Sequence, residues 1–395
     1  MRYYDITIRN PVTKAVVVLD DVLGTFVDTP RSVSSPSVLP SGSANFGSGR
    51  VPNPGPNTPG RVTSGNAQTI PKASSTFASH TAAGLFIPGA LNVELDIPSL
   101  PFGTFQGNIF VRVWGVPITA LGQASNLNGF DIEILGGMKP PYGLNAAAKP
   151  GQLAVGQILQ AYGNWEGQNQ HLDLIINNSA ANPNATANIA FTWAAQESIA
   201  DAIVQALTAA FPGFTILGAD TLQRLVQDHA EPTMHTSLQS FCEYILNRTQ
   251  SPGYGGVQIR GVGTTFYLYD GTQATKPTQI QFPDIIGQPT WMSAAGISFS
   301  TVMRGDIVLG SRVLMPRGLF PPYTIVVPNT DTPTVLPANR LNFQGNFIVT
   351  EVHHFGDFRQ PDAASWRTNF LVVPDLGADP NQFAGESGSS ARGLA

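Results

Sequence analysis

Cysteine is almost missing from this chain. Cys242 stands alone among 395 residues, so no internal disulfide can form and nothing argues for an oxidising compartment. Charge is scarce as well: Asp, Glu, Lys and Arg make up 12% of the residues, about half the usual share of a soluble globular protein. Much of the surface must therefore be neutral polar or covered by partners. The formal net charge of −5 lacks the basic excess that phosphate neutralisation demands, which argues against sequence-specific or tight nucleic-acid binding, although a DNA-conducting lumen tolerates it. No apolar run reaches the length of a signal core or a membrane span. The expectation is a protein made and kept in the cytoplasm unless it leaves as part of a particle. The Asn-x-Ser/Thr matches at Asn177, Asn184 and Asn247 are then chance matches, because glycosylation needs secretion.

What the chain has in quantity is glycine, proline and phenylalanine, with 40, 32 and 22 residues, a composition of short strands and many turns. The length suits two to three domains. Residues 3–8 (YYDITI) and 15–19 (AVVVL) flank Asn10-Pro11 and read as a hairpin. Over 28–83, Pro, Ser, Gly, Thr and Asn dominate, so this segment is expected to be an extended arm without a core of its own. Its charges, Asp28 against Arg31, Arg50, Arg61 and Lys72, make it basic. It is expected to lie on an adjacent subunit or another partner, with Phe46 and Phe77 as anchors. Strand patterns fill 84–178 (ALNVELDI, GNIFVRVWGV, FDIEIL, HLDLII), as in a β-barrel or sandwich.

Helical periodicity then enters. From Trp193 to Phe211 the stripe of Ile199, Ile203, Leu207 and Phe211 with Ala202, Ala206 and Ala210 predicts a helix stopped by Pro212-Gly213. A short helix is predicted over 221–228. A third, over 237–248, places Leu238, Phe241, Cys242, Ile245 and Leu246 on one face. With strands VQIRG and TFYLYDG, residues 185–280 read as a small α/β insertion. Strands resume at Ile297 and run to Val373 around a Pro-rich loop at 316–338, and 376–395 is a polar tail. The tetrapeptide FQGN occurs at 105–108 and again at 343–346, each time opening an apolar strand, a suggestion of duplication.

Candidate chemistry is thin. Asp228, His229, Glu231 and His235 form the densest cluster, but the two histidines are six apart with Pro232 between them, unlike the i, i+4 spacing of a metal helix. His353, His354, Asp357 and Ser365 supply the residue types of a nucleophile set without a GxSxG elbow, and neighbouring histidines on a strand point to opposite faces. Asp131 and Glu133 share a strand face, as paired carboxylates for glycoside hydrolysis do, yet any solvated strand face alternates the same way. The glycine-rich 253–263 lacks the Lys-Ser/Thr of a phosphate loop and leads into a strand. Cys242 lies on an apolar helical stripe, where burial outweighs nucleophilic use. No catalytic, cofactor-binding or metal site is expected, and the chain is read as no enzyme.

The most telling passage is FQGNFIVTEVHHFGDFRQPDAASWRTNFLVVP, where alternating strands flank a turn at Gly356, Asp357, Gln360 and Pro361, a long-looped β-hairpin. Together with MRGDIVLGSRVLMP (303–316) it resembles the hub proteins at the centre of phage tail baseplates, especially of contractile tails. There a strand of the type GDxVxLGxxVxxP precedes one ending V.H.GD.R...W.T. The resemblance covers about 280–375 in motif and 85–280 in domain order.

It implies a mainly β fold with two tube-like β-barrel domains, 1–180 and 281–375, split by the α/β insertion at 185–280. It implies a homotrimer whose six tube-like domains make a pseudo-sixfold ring. The expected partners are the central spike, the tail tube or tube-initiator protein, the tape measure protein and other baseplate proteins. The expected location is the virion, assembled in the bacterial host cytoplasm. The arm at 28–83 is a departure from that family. The alternatives are a tail-tip structural protein of a noncontractile phage, told apart by whether a sheath protein is encoded nearby, and a glycan-cleaving tail enzyme, whose hydrolysis would die with Asp131 or Glu133.

Overall fold

The computed structural model describes residues 1–19, 24–27, 75–99, 108–139, 151–179, 186–222, 224–252, 254–272, 276–293, 296–316 and 345–375. The protein is mainly β, with a large antiparallel sheet and a helix-bearing insertion.

The first part of the chain forms β1 (Arg2–Arg9), β2 (Val18–Leu19), β3 (Phe26–Val27), β4 (Phe77–Ala78), β5 (Asn92–Ser99) and β6 (Asn108–Trp114). The one-turn helix α1 (Ile118–Leu121), β7 (Asp131–Met138), β8 (Gly151–Glu166) and β9 (Asn169–Asn177) complete it. Strict alternation marks β5 and β6: Val93, Leu95 and Ile97 of β5 and Ile109, Val111 and Val113 of β6 are buried on one side, and their neighbours face out. The insertion holds β10 (Ile189–Trp193), α2 (Ile199–Ala210), β11 (Thr215–Leu217), β12 (Glu231–His235), α3 (Leu238–Thr249), β13 (Gln258–Val262) and β14 (Thr265–Tyr269). The last part forms β15 (Thr278–Gln279), β16 (Ile285–Ser293), β17 (Gly296–Val302), β18 (Arg312–Met315), β19 (Gly345–Asp357) and β20 (Trp366–Pro374).

The strands before and after the insertion belong to one 13-stranded sheet in the order β16-β17-β20-β19-β5-β6-β9-β8-β7-β1-β4, with β18 on β19 and β15 on β18. Strand β19 is the junction. Its first residues, Gly345 to Ile348, pair with β18, and Val352 to Asp357 pair with β5. A bulge falls between Val349 and Glu351 opposite β20. The extra residue shifts the alternation by one, so Phe347 and Val349 are buried before it and Val352 and His354 after it.

Three apolar cores follow among the described residues. The first gathers Tyr4, Ile6 and Ile8 with β5 to β9 and takes in Met303, Phe358 and Trp366 from the last part. The second lies within the insertion, under α2, α3, β13 and β14. The third unites Ile297, Phe299, Val313, Phe347, Val349, Phe370 and Val372.

Five local expectations are corrected. The expected hairpin forms only at its turn end, with the Asn10 amide donating to the Ala15 carbonyl, the Val17 amide to the Ile8 carbonyl and an antiparallel bridge at Arg9↔Val16; the long ladder of β1 is with β7, from Arg2↔Met138 to Arg9↔Asp131, and Val18–Leu19 pairs with β3. Tyr4, Ile6 and Ile8 of β1 share the first core with Val17. The helix predicted from Trp193 begins at Ile199, because Trp193 ends β10. No helix spans 221–228 among the described residues. There the Leu225 carbonyl accepts from Ile199 N at 3.0 Å and the Gln227 carbonyl from Gln196 N at 2.8 Å, so these carbonyls serve the entry to α2 in place of a helix of their own. In 303–316 only Arg312–Met315 is a strand. Of the arm at 28–83, residues 28–74 and with them Phe46 lie outside the described residues. Phe77 is buried in the first core and opposes Ile6 of β1, so it anchors on its own chain and not on a neighbour.

Candidate functional site

The residues of the hub-like passage converge on the seam between the first and last parts of the sheet. Trp366 is buried in the first core, and its indole Nε1 donates to the Gly137 carbonyl at 2.9 Å. Gly356 lies under that ring. A Cβ there would sit 2.7 Å from the indole, so the glycine is required by close approach. Phe358 packs edge-on against Tyr4 at 4.8 Å and against Trp366 at 5.9 Å, and its amide donates to the Val93 carbonyl. Arg359 takes hold of the segment before β5: its amide donates to Asn92 Oδ1 at 2.9 Å and its guanidinium to the Ala90 carbonyl. The 357–365 turn is pinned from the far end of the chain by Arg2. Its guanidinium donates to the carbonyls of Asp357 (2.7 Å), Phe358 (3.2 Å), Gln360 and Asp362 (2.5 Å) and to Ser365 Oγ (2.9 Å).

The second hub-like stretch supplies the other half of the seam. Met303 fills the first core, and its amide donates to the Trp366 carbonyl. Arg304 is 1% exposed and is neutralised by Asp306 through a bidentate pair, Nε–Oδ1 2.7 Å and Nη2–Oδ2 2.5 Å, with Asp284 at 3.5 Å, the arrangement that makes burial of a guanidinium tolerable. Gly305 crosses Gly151 of β8 so closely that a Cβ on either would meet the other's backbone at 2.5 Å. Thr368 links the two stretches. Its Oγ1 accepts from Arg304 N at 3.2 Å and shares a hydrogen bond with His354 Nδ1 at 2.9 Å. Burial, then the neighbouring His353, pushes the His354 imidazole down to about 3, so it is neutral at any ordinary pH.

The other candidate residues do not converge. His353 faces outward and meets Asp96 at 2.5 Å, on the strand face opposite His354. Ser365 Oγ donates to the Gln360 and Asp362 carbonyls, and Asp357 Oδ1 receives the Arg359 and Gln360 amides, so no serine–histidine–carboxylate relay forms. Asp131 pairs with Lys14 at 3.0 Å. Glu133 pairs with Arg9 at 3.0 Å and accepts from Gln152 at 3.1 Å, so both carboxylates are occupied by ordinary surface partners.

In the histidine cluster, Asp228 and His229 bond each other at 2.8 Å, both exposed. Glu231 is held by Tyr244 and Arg248 at 2.7 and 2.9 Å, which keeps its carboxyl low. His235 touches Thr233 Oγ1 and stacks near Phe241 and Tyr244. Among the described residues no cluster of three or more His, Cys, Asp or Glu is placed to hold a metal. Cys242 is buried in the insertion core, and burial raises its thiol well above the usual value. Gly263 and Thr264 turn β13 into β14, with Gly263 at φ 56°.

Sequence reasoning missed Arg2, Gly151, Tyr4 and Asp284, the partners of the hub-like residues. No local pattern marks them, because each acts across more than a hundred residues or from outside the motif.

No protein-family model matches the sequence, and comparison with curated proteins finds no relative. Among solved structures the chain is similar to an E. coli component of the type VI secretion system described as structurally similar to T4 bacteriophage tail proteins, with TM-score 0.42, 10% identity, 73% of this chain and 75% of that one covered. It is similar to a tail protein from Neisseria meningitidis, with TM-score 0.39, 11% identity, 72% and 96% covered. A third is the 43 kDa tail protein of prophage MuSo2 from Shewanella oneidensis, with TM-score 0.43, 6% identity, 72% and 98% covered.

Proposed function

We propose that this chain is a structural subunit of a phage tail: a baseplate hub, three copies of which close a pseudo-sixfold ring joining the central spike to the tail tube. The observation that carries this reading is the use made of the hub-like residues. Met303, Arg304, Gly305, Gly356, Phe358, Arg359, Trp366 and Thr368 fasten the β regions on either side of the insertion into one sheet. A subunit built this way offers two β modules side by side, 1–180 and 281–375, so three subunits offer six tube-like segments to a sixfold tube. The insertion at 185–280 sits off that wall.

The surface suits assembly. Leu159 and Trp165 of β8 and Met292 of β16 are 63%, 65% and 67% exposed, and large apolar side chains on a charge-poor surface are what partner contacts cover. The ring, its spike, tube-initiator and tape measure partners, the other baseplate proteins and the virion location are parts of this proposal. The seam residues are structural, and hydrolysis is not assigned to the chain.

Imaging the particle with this chain located tests the reading. Three copies on the tail axis, between tube and spike, are expected. Six copies in one ring, or copies around the periphery, would overturn it, as would a purified chain that degrades peptidoglycan or polysaccharide and stops doing so when Asp131 or Glu133 is changed.

A further inference from the structure

A cavity of about 410 Å³ lies where the outer face of the insertion's three-stranded sheet meets the large sheet, and it reaches β19 of the seam at its floor. On β13 and β14 alternation divides the side chains: Ile259, Phe266 and Leu268 point into the insertion core, whereas Arg260, Val262, Tyr267 and Tyr269 line the cavity. The opposite wall is mainly aliphatic, with Val155 of β8, Leu309 and Val352, beside the uncharged polar Gln152, Asn178 and Ser311. Val352 and His354, 2% and 3% exposed, form its floor, while Tyr267 and Val308, 41% and 54% exposed, stand at the mouth. The volume falls within the roughly 300–1,000 Å³ typical of small-molecule sites.

Arg260 is the unusual member of this lining. Half-buried among apolar walls, it makes no hydrogen bond or ion pair with the described residues. Burial pulls its guanidinium down to about 10, opposed only by the Tyr267 hydroxyl across the ladder. A cation taken out of water is normally paired, and elsewhere in this chain the buried Arg304 and the half-buried Arg112 each have a carboxylate in bidentate contact. A planar guanidinium with its donors unused matches one carboxylate. Most of the wall comes from the paired strands β14, β8 and β19, with β13 at the edge of its sheet and the 307–311 stretch beside it, and Val155, Val262, Leu309 and Val352 present side chains rather than a row of free backbone groups. A peptide would therefore bury amides without partners, and an alkyl chain would bury none.

We propose that this cavity is a binding site for a single carboxylate on an unbranched alkyl chain, with Arg260 taking the carboxylate and Val155, Val262, Leu309 and Val352 enclosing the chain. The neutral His354 at the floor adds no competing charge. This goes beyond the assembly reading and does not depend on it.

Calorimetric titration of the full-length protein with decanoate, 1-decanol and acetate tests the site. Saturable one-to-one binding of decanoate is expected, weakened roughly tenfold or more by Arg260→Gln, with 1-decanol and acetate both much weaker. Val308→Trp, at an exposed position over the mouth, should also abolish binding while leaving the thermal transition unchanged, which keeps the test decisive if Arg260→Gln disturbs folding. No saturable binding of decanoate, equal binding by Arg260→Gln folded like the parent, or 1-decanol bound as tightly as decanoate would each overturn the proposal. So would tighter binding of the peptide acetyl-Leu-Leu-Glu-amide than of decanoate.

Discussion

Arg2 spreads one guanidinium over the carbonyls of Asp357, Phe358, Gln360 and Asp362 and over Ser365 Oγ, acceptors that belong to a turn without a ladder of its own. Hydrogen bonds to a charged donor contribute about 1.5–3 kcal/mol where they are shielded, and this site is only partly buried. Arg2→Ala is expected to lower stability by about 1–2 kcal/mol in urea unfolding. Arg2→Lys should rescue little, because a point charge cannot serve a fan of acceptors. An Arg2→Lys protein as stable as the parent would show that charge alone holds the turn.

His354 gives a second test at this scale. Its folded pKa of about 3 lies below the unfolded value of about 6.5, so between these limits the unfolded chain binds more protons. Stability therefore rises with pH across that window and is lost as pH falls through it, by at most about 5 kcal/mol for this residue. His354→Phe should flatten the slope between those pH values. An unchanged slope would mean that the ring is not neutral in the fold.

At the scale of elements, the sequence revealed strands more readily than their partners. Alternation in NVELDI, NIFVRV and WRTNFLVV and the stripe of Leu238, Phe241, Cys242 and Ile245 are local signals, and they correspond to β5, β6, β20 and α3. The pairing of β1 with β7 was not legible, because the nearer AVVVL has equal strand character and it does meet β1, though only at Arg9↔Val16. The shift at Thr350 was not legible either, since a bulge appears in sequence only as a lapse in period. The hub-like glycines could be noted but not explained. Gly305 is needed because its backbone crosses Gly151, a contact between β8 and the stretch before β18. Gly305→Ala should force the crossing apart and cost about 1–3 kcal/mol, with faster proteolysis near 303–311. Gly167→Ala is a less informative control, since Gly167 has open space around it but a positive φ of 62°. Gly89→Ala, with open space and no such φ, should be neutral. Equal stability of Gly305→Ala and Gly89→Ala would remove the crossing from the account.

At the scale of the whole molecule, the apolar cores and the hydrogen-bond ladders divide the chain differently. By cores there are three bodies, but Met303, Phe358 and Trp366 place the last part of the chain inside the first core, and β19 pairs with β5 from Val352↔Ser99 to Asp357↔Glu94. Among the described residues the insertion shares no such ladder. Its contacts with the large sheet include the short bridge of Ser179 to Gly263 and the walls of the cavity. Opening the first β region must therefore expose Trp366 and unpair β19, whereas the insertion can open while the sheet stays closed. Native-state hydrogen exchange in rising denaturant should show amides of β5, β6, β19 and β20 merging into one opening free energy, with those of α2 and α3 in a separate and lower one. If β5 and β6 instead exchange independently of β19 and β20, the seam is a contact between separable domains, and the rigid two-module subunit that a hub ring requires would lose its physical basis.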